Sequence, residues 1–212
     1  LGDPTAAVEA LQRARVPAAE LGGDDLQLIW LATAREYAGD PQAARDTLAS
    51  VLAGKPSAHH VVLARLRLGD LDRRAGDVHG ADRQYRHAEQ AACLAGEPDG
   101  PFRAAHRAAG ALLALARDDT AAAAAEIRAA PPDAAQLAVA VAALSSARGD
   151  PATAAAALGA AHRLRGAPDP LNPDITRLTA QLNDQDNAAA YADARALDRS
   201  AATALVRDAC PR

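Results

Sequence analysis

Gly-Asp pairs recur along this chain at intervals that suit one pair of helices each. They stand at Gly2-Asp3, Gly39-Asp40, Gly76-Asp77 and Gly149-Asp150, with Asp118-Asp119 as a degenerate fifth member. Successive spacings are 37, 37, 42 and 31 residues. Self-similarity at such a period is the mark of a chain built from repeated supersecondary units. The pair itself has a mechanical meaning. Glycine can close a helix in the left-handed conformation, and aspartate can cap the first turn of the next helix. Pro4, Pro41 and Pro151 then follow where a first helical turn lacks no needed N–H.

Aligning on the anchor brings three further columns into register. Five residues on stand Ala7, Ala44, Ala81, Ala123 and Ala154. Nine on come large apolar residues, Leu11, Leu48, Tyr85, Ile127 and Leu158, and twelve on come Ala14, Val51, Ala88, Ala130 and Ala161. Seven before the anchor are Ala32, Gly69, Ala111 and Ala142, and eight before are Leu31, Leu68, Gly110 and Val141. Small residues at helix crossings let two helices approach closely, and the large residue fills the gap left beside them. Composition agrees. Of 212 residues 61 are alanine, with nine Val, three Ile, one Phe, one Trp, three Tyr and no Met. A sheet built without β-branched and aromatic residues is improbable, so the expected fold class is all-α.

The small, then small–large–small order resembles the tetratricopeptide repeat, whose period is about 34 residues. The resemblance implies a right-handed superhelical solenoid of about four helix pairs, over 25–53, 59–95, 101–130 and 134–165. An orphan helix at 4–14 precedes them. Pro131-Pro132 separates the third and fourth pairs, and a longer second helix in the second pair accounts for the 42-residue spacing. Beyond Gly166-Ala167-Pro168-Asp169-Pro170 the pattern breaks. Helices are expected at 173–182, 185–197 and 200–209, as a cap with a polar outer face. The domain reading is a repeat array over 1–166 and capping helices of the same domain over 167–212.

Charge and cysteine content narrow the function classes. Net charge is −4, and 22 of the 23 basic residues are Arg, Lys55 being the exception. Acids alternate with bases as on an ordinary solvated surface, without the basic stripe of a nucleic-acid binder. Direct nucleic-acid contact is therefore not expected. Cys93 and Cys210 form no CxxC motif and fit a reduced cytoplasmic protein, a single disulfide between them being the alternative. No apolar run reaches the roughly 20 residues of a membrane span, and Leu1-Gly2-Asp3-Pro4 has no signal-peptide pattern. The absent initiator Met suggests part of a longer protein.

Chemistry-bearing motifs are scarce. Gly54-Lys55-Pro56-Ser57 lacks the upstream glycine and the strand of a phosphate loop, and Pro56 splits Lys from Ser. His59-His60 point apart on a helix. His79 and His87 lack companions at ligand spacing, and His106 and His162 are isolated. No catalytic activity, metal or cofactor is expected. Trp30 and Tyr37, one heptad apart, read as inter-repeat core or its rim, with an exposed aromatic anchor as the alternative.

Tetratricopeptide arrays bind through a concave face lined by the first helix of each pair. By position those residues stand 13, 10, 6 and 3 before each anchor. They are Leu26, Ile29, Thr33 and Glu36, then Leu63, Leu66, Asp70 and Arg73. The third pair gives Ala105, Ala108, Leu112 and Leu115, and the fourth gives Gln136, Val139, Ala143 and Ser146. This groove is mostly apolar, with one charged zone at Glu36, Asp70 and Arg73. It lacks the Lys/Asn/Arg clamp for chaperone C-termini and the Asn-lined groove of pheromone receptors. Such a face favours an amphipathic helix, another domain of the same chain or an apolar small molecule. The alternative is that a terminal helix of the chain itself fills it.

The tail adds a second resemblance. Residues Ala160-Ala161-His162-Arg163-Leu164-Arg165-Gly166-Ala167-Pro168-Asp169-Pro170, then Asn172-Pro173-Asp174, look like the C-terminal end of large SARP-type and LuxR-type antibiotic regulatory activators. Ala190-Tyr191-Ala192-Asp193-Ala194-Arg195-Ala196-Leu197 is similar to their closing stretch, with Ala194 where Gly is usual. The resemblance implies a regulatory sensor domain that binds a protein partner or an apolar effector. A free-standing scaffold or adaptor is the second reading.

Overall fold

The computed structural model of the chain describes residues 3–20, 24–96, 102–131, 134–182 and 185–209. Gly2, Pro101, Pro132, Asn183 and Cys210, which entered the reading above, lie outside them. The described residues form twelve α-helices and no strand. The chain divides into two compact units, Leu1–Gly100 and Pro101–Arg212.

The first unit holds α1 (Pro4–Glu20), α2 (Asp25–Tyr37), α3 (Pro41–Ala53), α4 (Ala58–Arg74) and α5 (Val78–Leu94). Here α2 packs on α3 and α4 on α5, while α4 also touches α2 and α3, and α1 lies against α2. The second unit holds α6 (Arg103–Leu115), α7 (Thr120–Arg128), α8 (Ala135–Ala147), α9 (Pro151–Arg165), α10 (Pro173–Gln181), α11 (Gln185–Ala196) and α12 (Arg199–Asp208). Pairs α6–α7 and α8–α9 pack within themselves, and α8 also meets α6 and α7. Of the tail helices, α10 lies on α8, α11 on α9, and α12 on both.

The Gly-Asp turn works as its chemistry requires. Gly39, Gly76 and Gly149 sit at φ +86°, +82° and +76°, and the following N–H of Asp40, Asp77 or Asp150 bonds a carbonyl five residues back. Each aspartate then caps the next helix. Asp40, Asp77, Asp119 and Asp150 accept from the backbone N–H of Ala43, Gly80, Ala122 and Thr153 at 2.7–3.0 Å. Hydrogen bonds from Thr153 hold the Asp150 carboxyl below the usual carboxylate range. In the degenerate pair, Asp118 takes the glycine's place at φ +58°. Asp3 caps α1 in the same way.

The aligned columns are core. Ala44, Ala81, Ala123 and Ala154 are fully buried, as are Leu48, Tyr85, Ile127 and Leu158 in the large column and Ala32, Gly69, Ala111 and Ala142 in the small one. The fit is tightest at Gly69, where an added Cβ would lie 2.2 Å from Tyr85 Cε1. Ala7, Leu11 and Ala14 are exposed or half-buried, since no described helix pairs with α1 from the N-terminal side, and Gly110 and Ala130 are half-buried. Helix α1 also runs to Glu20, past the expected end at residue 14 and through Pro17, which has no N–H to give the helical ladder. Helix α5 spans 17 residues against 13 in α3, as the long spacing predicts. Cys93 is exposed on α5. Among the described residues no helix is long and apolar enough to cross a membrane.

Candidate binding surface

Helices α2 and α4 carry the surface that most invites a partner. Trp30 is 53% exposed, and Leu26, one turn earlier, 40%. The Trp30 indole is therefore not buried core, and of the readings above the rim and the exposed anchor remain. With half-buried Thr33 and Tyr37 these residues form a single stripe at i, i+4, i+7 and i+11 along α2. On α4 the equivalent positions, 37 residues later, are Leu63, Arg67, Asp70 and Arg74, all half-buried. The outward register is thus 13, 9, 6 and 2 residues before each anchor.

The expected groove residues divide accordingly. Leu26, Thr33, Leu63 and Asp70 lie in the outward register. Ile29, Leu66 and Arg73 are buried instead, Leu66 to 6% exposure, and Ile29 belongs to the core that α2 shares with α3 and α4. Glu36 is turned inward too, as an ion-pair partner of Arg74 across the two helices. In the second unit, Leu112 and Leu115 are half-buried against the core, Gln136 is exposed and Val139 is buried. Over α8 the tail supplies cover, since α10 packs there and Ser146 donates to Gln181 at 3.5 Å.

Electrostatics on the α2–α4 surface are largely settled internally. Asp70 accepts from the Tyr85 hydroxyl at 2.8 Å and has Arg73 at 3.8 Å. Burial, and then the Asp70 charge, push the Tyr85 hydroxyl well above its ordinary range, so it stays a neutral donor. His60 Nδ1 lies 3.2 Å from Asp25. Arg45 holds Asp72 and the Leu71 carbonyl, tying α3 to α4. Of Leu63, Arg67, Asp70 and Arg74, Arg67 is the polar side chain that has no ion pair or hydrogen bond among the described residues. The surface can bury apolar area and offer one uncommitted guanidinium. It holds no group of three or more His, Cys, Asp or Glu that could take a metal ion, among the described residues.

The expected set at i, i+3, i+7 and i+10 and the outward register share Leu26, Thr33, Leu63 and Asp70, while Trp30 and Arg67 belong to the outward register alone. Comparison with family models, with curated proteins and with solved structures finds no match for this chain.

Proposed function

We propose that this chain is a tetratricopeptide-like binding domain of a transcriptional regulator, which captures an amphipathic helix on the α2–α4 surface. The observation that carries the reading is Trp30, a large aromatic held half-exposed at the centre of an apolar stripe. Large aromatics at such positions anchor protein interfaces. The Gly-Asp turns and the small–large columns support the repeat architecture, and the tail resemblance supports the regulatory role. The partner helix presents an apolar stripe to Leu26, Trp30 and Leu63 and an acidic side chain to Arg67.

A displayed library of amphipathic helical peptides, selected on the 212-residue protein, tests the surface directly. Selected peptides should carry a carboxylate beside their apolar stripe. They should shift the fluorescence of Trp30, and lose about tenfold or more in affinity to Trp30→Ala. Peptides that bind Trp30→Ala as tightly as the parent would remove the α2–α4 surface from consideration. For the regulatory half, deleting this segment from its gene should change transcript levels of co-encoded biosynthetic genes. Unchanged transcripts leave the scaffold reading in its place.

A further inference from the structure

In the second unit a cavity of about 640 Å³ opens between α9, α10 and α11. It is a wedge. Helix α10 leans on α8 while α11 is drawn onto α9, so the two diverge below the 166–172 turn. Leu158, Ile175 and Leu182 form apolar walls, and alanines at neighbouring positions leave the space unfilled. Five polar side chains reach the lining: Thr176 and Thr179 from α10, His162 from α9, and Asn187 and Tyr191 from α11.

His162 is the unusual member. It is 6% exposed, its Nδ1 lies 2.6 Å from the Tyr191 hydroxyl, and its ring meets the Tyr191 ring edge-on at 5.5 Å. Its Nε2 is buried and has no hydrogen-bond partner among the described residues. Buried polar atoms are almost always satisfied, and an orphan beside a cavity points to something that satisfies it from inside. The phenol is the stronger donor of the pair, so Tyr191 donates to Nδ1 and the imidazole proton resides on Nε2. Burial, and then the nearby Arg165 and Arg195, hold the His162 pKa below its ordinary value against the opposing pull of Asp169, which keeps the ring neutral.

We propose that this cavity binds a small, largely apolar molecule with a carbonyl-type oxygen, and that this oxygen accepts a hydrogen bond from His162 Nε2. The volume falls within the range of about 300–1,000 Å³ typical of small-molecule sites, and so does the lining, apolar walls with a few convergent polar groups. Neither the α2–α4 surface nor its peptide partner enters the argument.

The test uses the 212-residue protein with ¹⁵N-labelled histidine and two probes of nearly equal size, 2-acetylnaphthalene and 2-ethylnaphthalene. The ketone should bind saturably and move the His162 Nε2 resonance, leaving those of His59, His60, His79, His87 and His106 in place. The hydrocarbon should bind at least tenfold more weakly. Ala180→Trp, at an exposed position on the cavity lining, should abolish ketone binding while the thermal unfolding midpoint stays near that of the parent. His162→Gln should reduce the preference for the ketone over the hydrocarbon. No saturable ketone binding, an unmoved His162 resonance, or equal affinity for Ala180→Trp would each overturn the proposal. Peptide capture by the α2–α4 surface, scored on the same sample through Trp30, separates failure here from failure there.

Discussion

At the scale of single residues, Asp118 is the position where the repeat departs from its own rule. Its φ of +58° belongs to glycine, and the three glycines in equivalent turns meet nothing within 4 Å of a built Cβ. The penalty is therefore one of backbone conformation rather than crowding. Asp118→Gly should raise stability by about 1 kcal/mol in urea unfolding, since a left-handed residue with a Cβ costs about 1–2 kcal/mol. Gly69 is the converse case. Its missing Cβ is the space that the Tyr85 ring occupies, so Gly69→Ala should lower stability by about 1–3 kcal/mol. Adding Tyr85→Leu to that variant should recover part of the loss, a coupling that a double-mutant cycle measures directly.

Between elements, backbone comes close to backbone where α11 crosses α9. A Cβ at Gly159 would stand 2.3 Å from the Tyr191 carbonyl oxygen and 3.1 Å from Ala194 Cβ. Gly159 supplies the room that the α11 backbone and Ala194 need at this crossing. Gly159→Ala should cost about 3 kcal/mol, because backbone cannot turn aside as a ring can. Hydrogen exchange should show the loss first along 185–196. Much at this scale was legible in the sequence. The Gly-Asp anchor located every turn between paired helices, and the small and large columns named the core residues that meet there. Such features are local, governed by φ, capping and side-chain volume. What could not be read was which flank of α2 is covered by α4, because that depends on contact between residues far apart in the chain. His162 looked isolated because its partner Tyr191 is 29 residues away and reaches it only once α11 has docked.

For the whole molecule, acid should act chiefly on the second unit. His162 is neutral when folded and has an ordinary imidazole pKa when unfolded, so the unfolded chain binds more protons in the interval between the two values. Stability conferred by the neutral ring is complete above about pH 6.5. It declines as pH falls below that, through the lowered folded value. The groups facing the ring are the Tyr191 hydroxyl, the Arg165 and Arg195 cations and the Asp169 carboxylate. The unfolding midpoint should be lower at pH 5 than at pH 7.5, and His162→Gln should flatten that difference. Asp150, with its lowered carboxyl pKa, contributes only in more acid solution and does not confuse the comparison.

Helix α8 is apolar on every side, with Leu137 through Ser145 all buried and α6, α7, α9, α10 and α12 packed around it. That geometry has a consequence during synthesis. Some of the wrapping comes from α12, whose buried Val206 lies 61 positions after Ser145 (206 − 145). At about 5–20 residues per second the segment waits about 3–12 s on the ribosome before its last neighbours exist. Throughout that interval it is the greasiest stretch of the nascent chain, and the natural place for a chaperone to hold.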